Sequence, residues 1–366
     1  MLAAPEAQYR VTHGLGWPLD VEVDPRIGWP NVPRETLDWP QRATATSLPS
    51  RPVGNTTTPP TIELPPGPRR ARFDEDEFSA PVVEDDPPAT TTADRPATAS
   101  LPTPPHSRIL VVANQKGGVG KTTTSVNLAA ALALGGLTVL VVDLDPQGNA
   151  TTALGVDHPP GTPGTYEVLM SGAPLAEHVV DSPEAPNLKV LPATIDLAGA
   201  EIELVSIVAR ESKLRRSLRA YLQDNHVDYV FLDCPPSLGL LTVNALVAAN
   251  EILVPIQCEY YALEGVSQLL RTIDLVKGEL NNDLRLSTVM LTMFDGRTRL
   301  AAQVAEEVRQ HFPAETLPIV IPRSVRISEA PSYGQTVLTY QPSSVGAISY
   351  LEAAQEIARR GTEESG

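Results

Sequence analysis

The sequence predicts an α/β fold: a mostly parallel sheet with helices on both faces. Three observations predict it. From Arg108 onward, short runs of Val, Ile and Leu alternate with longer stretches rich in Ala and Leu. A glycine-rich segment, Lys116-Gly117-Gly118-Val119-Gly120-Lys121-Thr122-Thr123, separates the first run from the first long stretch. Aspartates close two of the later runs, at Asp143 with Asp145 and at Asp233. Strands buried on both faces read as continuous apolar runs, and strand–helix alternation favours parallel pairing.

Each element follows from the local pattern. Arg108–Ala113 (RILVVA) suits a buried strand, Thr122–Leu134 a helix and Thr138–Val142 a second strand. Leu188–Leu191 reads as a strand, Ser212–Leu222 as a helix and Tyr229–Leu232 as a strand. A helix over Leu240–Ala249, a strand over Ile252–Ile256, a helix over Val266–Leu280 and a strand over Leu286–Leu291 continue the alternation. Leu300–Phe312 places Leu300, Val304, Val308 and Phe312 on one helical face. Leu317–Ile321 is the last strong strand, and Val345–Ala358 closes the chain as a helix.

Residues 1–105 differ in kind. They hold twenty of the 36 prolines, all three tryptophans, nine arginines and no lysine. With few long apolar runs, this stretch cannot bury enough surface to offset its ordering entropy, and it reads as a disordered extension ahead of a domain over 106–366. A Trp-Pro pair recurs at Trp17-Pro18, Trp29-Pro30 and Trp39-Pro40. Such pairs serve either as docking motifs for a partner that the sequence does not name or as incidental aromatics in an unconstrained tail.

Net charge is −16, with 15 acidic against nine basic residues in 1–105 and 29 against 19 in the remainder. Bulk charge therefore opposes nucleic-acid binding, and any such contact must use a local basic patch. Cys234 and Cys258 have no metal-ligand spacing, and no apolar run reaches 18 residues. The N-terminus lacks a basic-then-apolar signal pattern. A reduced cytoplasmic protein that does not span the membrane is expected.

The glycine-rich segment carries the chemistry. Glycines let backbone N–H groups face a phosphate, and the following helix points its positive end there. Lys121 supplies a point charge and Thr122 a hydroxyl for Mg²⁺. The usual spacing asks for Gly where Gln115 stands, so this is a variant with a second lysine, Lys116. Asp143, Asp145 and Asp233 lie at strand ends, where open parallel sheets bind ligands; there they hold Mg²⁺ through water or orient an attacking water. The plainer alternative is a set of loop or capping aspartates.

These segments together resemble the ParA/Soj family of chromosome-partitioning ATPases, within the deviant P-loop NTPase class that includes MinD. The resemblance spans roughly 108–360 through Asn114–Asn127, Asp143–Thr151, Asp233–Ala245, Pro255–Gly265, Met293–Leu300 and Ile321–Gly334. It implies an ATPase with ATP and Mg²⁺ as cofactors, acting as an ATP-bound sandwich homodimer. By the match, Lys116 reaches the partner protomer's phosphates, resembling an arginine finger in trans. Lys116, Gly117, Gly118, Val119, Gly120, Lys121, Thr122 and Thr123 form the nucleotide loop, and Pro322 lies near the adenine. Thr122 and Asp233 serve Mg²⁺, and Asp145 orients the lytic water. The resemblance also implies nonspecific double-stranded DNA binding through Arg297 and Arg326, with Arg299 and Arg323 nearby. A ParB-type centromere-binding partner and a nucleoid-associated location follow from it.

Solvated or salt-bridged arginines remain the alternative to the DNA patch, and the cluster Arg210, Lys213, Arg215, Arg216 and Arg219 reads as a solvated helix face. A MinD-like, membrane-associated positioning ATPase is the competing function. It needs a C-terminal amphipathic helix with basic residues beside large apolar ones, and Glu352–Arg360 (EAAQEIARR) offers a weak one.

Overall fold

The computed structural model describes residues 100–260 and 262–363. The disorder expected for most of 1–105 lies outside the described residues. Strand β1 (Arg108–Val112) leads through the glycine-rich loop into helix α1 (Lys121–Leu134), then β2 (Val139–Asp143). Short helices α2 (Asn149–Ala153) and α3 (Thr165–Met170) precede the two-residue β3 (Val180–Asp181) and β4 (Leu188–Leu191). Helices α4 (Leu197–Glu203) and α5 (Lys213–Asp224) lead to β5 (Tyr229–Asp233), α6 (Leu240–Ala248) and β6 (Glu251–Gln257). After α7 (Ala262–Glu279) come β7 (Arg285–Phe294), α8 (Arg299–His311) and β8 (Thr316–Pro322). Helices α9 (Val325–Glu329), α10 (Val337–Tyr340) and α11 (Val345–Glu363) finish the domain.

The strands form one sheet in the order β3-β4-β2-β5-β1-β6-β7-β8. All pairings are parallel except β3 with β4 at one edge. Strands β2, β5 and β6 are buried at every position, which fits their mostly apolar content. Two cores result. One face packs Val111, Val230 and Ile252 against residues of α5, α6, α7 and α8. The other packs Leu110, Val141 and Phe231 against α1 and α11, and the Ala-rich surface of α1 permits that close approach. The expected two-faced parallel sheet is thus present.

The chain is fastened to this domain before β1. The Leu101 N–H donates to the Gly135 carbonyl at 3.0 Å, and Pro104 is buried. Gly135 follows the last turn of α1 and leaves room for the Leu101 side chain, where an added Cβ would come within 2.4 Å of it. Beneath the sheet, the buried Arg108 guanidinium pairs with Glu251, donates to the Ile357 carbonyl at 2.9 Å and stacks over Tyr229. These contacts tie β1, β5, β6 and α11 together at the end opposite the loop.

Candidate nucleotide site

A parallel sheet brings the carboxyl ends of its strands to one edge, and the ligand groups gather there. The loop after β1 turns through Gly118 (φ 74°) and Gly120 (φ 88°), a left-handed backbone that side chains disfavour. Its base is braced from neighbouring strand ends. The Asn114 amide donates to the Pro255 carbonyl at 2.8 Å, and its Oδ1 accepts the Lys116 N–H at 3.0 Å. Thr292 Oγ1 donates to the Val119 carbonyl at 2.8 Å. Gly117 and Gly118 are exposed, whereas Val119 is buried as an anchor and Thr123 is half-buried.

Lys121 opens α1 and is nearly buried. Burial lowers its pKa, opposed by the attraction of Asp233. A desolvated ammonium beside exposed glycine N–H groups is a charge in want of an anion. Gln115 Nε2, also buried, donates to no described residue. Both features fit a bound polyphosphate.

The carboxylates face this loop. Asp143 and Asp233 are register partners across β2 and β5, both fully buried. Burial pushes both upward: Asp143 to about 6, with Asp145 adding repulsion, and Asp233 to about 7, with Asp143 and Asp145 adding repulsion. Asp233 accepts Thr122 Oγ1 on one oxygen at 2.8 Å and Ser125 Oγ on the other at 2.7 Å. The Thr122 proton is therefore directed at Asp233, which leaves the hydroxyl lone pairs for a cation. Asp143 accepts the Thr151 N–H at 2.9 Å and its hydroxyl at 2.7 Å, so its role is to hold the loop after β2. Asp145 stands at the edge of that loop, its N–H donating to Asp143 at 3.1 Å and its Oδ1 accepting the Gln147 N–H at 3.0 Å.

Lys116 is half-buried, and its Nζ lies 3.3 Å from Glu259 Oε2, just past β6. Arg323 reaches the other oxygen of the same carboxylate at 3.2 Å. Pro322 ends β8 opposite Phe294 of β7, and the Arg323 N–H donates to the Phe294 carbonyl at 3.0 Å. The loops after β7 and β8 thus lie side by side. They carry Arg297 and Arg323, and the helices that follow them, α8 and α9, carry Arg299 and Arg326; all four are exposed. Three of these already meet carboxylates: Arg297 grips Asp295 in a two-pronged contact at 2.9 and 3.0 Å, Arg323 meets Glu259, and Arg326 meets Glu329 at 3.1 Å. The other basic cluster is less continuous than a single helix. Arg210 sits in a separate 3-10 turn, Arg210–Ser212, and the backbone leaves helical geometry at Ser212 (φ −106°, ψ 7°) before α5 begins at Lys213.

A family model described as an AAA domain matches residues 107–286. The sporulation initiation inhibitor protein Soj of Bacillus subtilis (strain 168) is 52% identical over 254 residues, covering 69% of this chain and 99% of that protein. The chain belongs to the ParA/Soj family of chromosome-partitioning ATPases. The chromosome partitioning protein ParA of Myxococcus xanthus is 50% identical over 258 residues, covering 70% of this chain and 90% of its own length. Among solved structures, a protein described as cobyrinic acid a,c-diamide synthase from Mycobacterium smegmatis, with bound ADP and magnesium, aligns with a TM-score of 0.61. It is 41% identical, over 71% of this chain and 97% of its own. Membership in the ParA/Soj family makes this chain an ATPase, with ATP and Mg²⁺ as cofactors.

Sequence reading missed several supports of the site. Ser125, one turn into α1, and Thr151 in α2 satisfy the two buried aspartates. Both stand inside quoted motifs, so the signal was present without a role attached. Glu259 too stands inside a quoted segment, Pro255–Gly265, but its role depends on partners 143 and 64 residues away.

Proposed function

We propose that this ParA/Soj ATPase runs an ATP-gated DNA cycle. With ATP it forms a sandwich homodimer, binds double-stranded DNA without sequence preference, and lets go after hydrolysis stimulated by a centromere-binding ParB-type partner. The observation that carries this reading is the single sheet edge holding Lys116, Lys121, Asp145, Asp233 and the arginine-bearing loops after β7 and β8.

In this reading the N–H groups of Gly117 to Thr123 and the Lys121 ammonium hold the phosphates in cis, and Pro322 borders the adenine. Thr122 takes Mg²⁺ directly and Asp233 supports it through Thr122 and water; bound Mg²⁺ neutralises charge on the phosphate oxygens. Asp145, tethered through Asp143 to Thr151, orients the lytic water. Lys116 exchanges Glu259 for the partner protomer's phosphates. Arg297, Arg299, Arg323 and Arg326 of two protomers make one phosphate-binding surface, of which a monomer offers half. The Trp-Pro pairs at Trp17, Trp29 and Trp39 would dock a further partner.

A MinD-like membrane role has less support. The apolar side of α11 is already occupied: Ala347, Tyr350, Ala353, Ala354, Ile357 and Ala358 are buried in the core with α1. No described helix is long and apolar enough to cross a membrane.

The test is ATP turnover measured alone, with DNA, with a ParB-type protein and with both, beside ATP-dependent retention on DNA and on liposomes. Joint stimulation and DNA retention are expected. Retention on liposomes without DNA binding would overturn the reading.

A further inference from the structure

Regular strands send successive side chains to opposite faces. The end of β7 departs from that rule. Met293 has a left-handed backbone (φ 50°), a conformation that bulky residues rarely adopt. Among the described residues one other non-glycine residue shares it, Ala209 (φ 53°), in an exposed turn ahead of α5. The strand register marks the same place. Leu291 pairs with Val320 and Phe294 with Pro322, so three steps along β7 match two along β8, and one residue of β7 is extra. On its other side β7 stays joined to β6: Thr292 pairs with Gln257, and its carbonyl accepts the Cys258 N–H at 3.2 Å.

This bulge has a target. Thr292 is buried, and its Oγ1 donates to the Val119 carbonyl at 2.8 Å. A Cβ placed on Gly120 would lie 3.9 Å from Thr292 Cγ2 and 4.0 Å from the Met293 methyl carbon. Two consecutive side chains therefore meet the same turn of the glycine-rich loop, which alternation along a regular strand forbids. Gly120 is the residue before α1, itself left-handed (φ 88°), and Lys121 and Thr122 follow it directly. It has no side chain with which to hold this turn. A Cβ on Gly117 or Gly118 would meet nothing within 4 Å, so the sheet grips the loop at its α1 end and leaves the other end open.

We propose that Met293 is a positioning residue for the ATPase reaction: its bulge turns Thr292 and its own side chain onto Gly120 and so holds the glycine-rich loop ready for phosphate before nucleotide arrives. A strained backbone persists only where its surroundings over-determine it, and here the β6 pairing, the Val119 bond and the Gly120 contact do so. The unbranched thioether suits the task, because it fills an irregular gap. Donors fixed in advance need no ordering when the ligand binds, so the gain appears as affinity for the phosphates. The inference needs neither the DNA surface nor the dimer.

The test titrates the full chain calorimetrically with Mg²⁺ and either ATP or tripolyphosphate, which carries the phosphates without the base. Met293→Ala should weaken both ligands to the same extent, by about fivefold or more. Met293→Val, whose branched Cβ resists a positive φ, should weaken both at least as much. Met293→Leu, of similar bulk, should recover most of the affinity. Ala209→Gly, at the other left-handed position, should bind both ligands as wild type does. In protein free of nucleotide, hydrogen exchange at the amides of 119–123 should quicken in Met293→Ala while the amides of β5 stay as protected as in wild type. If Met293→Val fails to fold, the Ala and Leu variants still decide. Weaker ATP binding with unchanged tripolyphosphate binding would overturn the proposal, because Met293 would then serve the base. So would unchanged exchange at 119–123 in Met293→Ala.

Discussion

Lys116 and Arg323 share one carboxylate: Glu259 takes the first on Oε2 at 3.3 Å and the second on Oε1 at 3.2 Å. A residue of the nucleotide loop and a residue of the arginine-bearing edge are thereby linked through a side chain that belongs to neither. The groups are substantially exposed, so the pairs contribute little to stability, of the order of 0–1 kcal/mol each. Their weight is in competition. Glu259→Gln should leave melting temperature nearly unchanged and lower the ATP concentration at which dimer appears in light scattering. A higher ATP requirement would mean that Glu259 serves the dimer rather than restraining the monomer.

The two loop lysines should separate cleanly. Lys121 is buried in the site, whereas Lys116 is half-exposed and bound elsewhere. Lys121→Ala should abolish ATP binding by calorimetry. Lys116→Ala should bind ATP within a few-fold of wild type but neither dimerise nor hydrolyse. Equal loss of ATP affinity in both would contradict the division into cis and trans roles.

Asp145 contributes its side chain to one local contact, with the Gln147 N–H. Asp145→Ala should therefore fold, bind ATP and dimerise, while hydrolysis slows by about two orders of magnitude or more, as for loss of a water-orienting group. Persistent DNA retention after ATP washout would be the matching signature. An ATP-free monomer would remove Asp145 from the water-orienting role.

Arg297 is fully exposed but already gripped by Asp295, and this holds the Asp295 carboxyl low, at about 2. On DNA, phosphate must compete with Asp295. Arg297→Glu should cut the slope of log affinity against log salt by about 0.9 per contact, or roughly 2 per dimer. Asp295→Ala should do the reverse and tighten binding, with dimerisation unchanged in both. If neither variant alters affinity or slope, the surface lies elsewhere, and the Arg210–Arg219 cluster is next.

Asp233 predicts a pH signature in protein free of nucleotide and Mg²⁺. Burial raises it from an ordinary 3.8 to about 7. Between those values the native state binds the extra proton, so this group's contribution to stability is complete below about pH 4 and is lost as pH rises through about 7. Asparagine does not titrate. Asp233→Asn should therefore gain stability relative to wild type between about pH 4 and about pH 7 in urea unfolding. A constant difference across that range would show that the carboxyl titrates normally.

The chemistry of the site was legible where it depends on local backbone. Gly118 and Gly120 must be glycine for the loop to turn, and Asp143 and Asp233 end runs that can only be buried strands. What was not legible depends on partners far apart in sequence. Asn114 finds Pro255, Thr292 finds Val119 and Lys116 finds Glu259 only after the sheet sets its strand order. Short elements were missed for a different reason. Helices such as Leu197–Glu203 and Val325–Glu329 are too short to show a helical period, and β3 has two residues.

Leu101 closes on Gly135 at the end of α1 opposite the glycine-rich loop. Whatever holds the preceding residues thus takes hold of the nucleotide helix by its tail. A domain trimmed to begin at Arg108 would lack that clasp and leave the pocket over Gly135 bare. Cutting ahead of Ser100 keeps the handle attached to the lever it was built to meet.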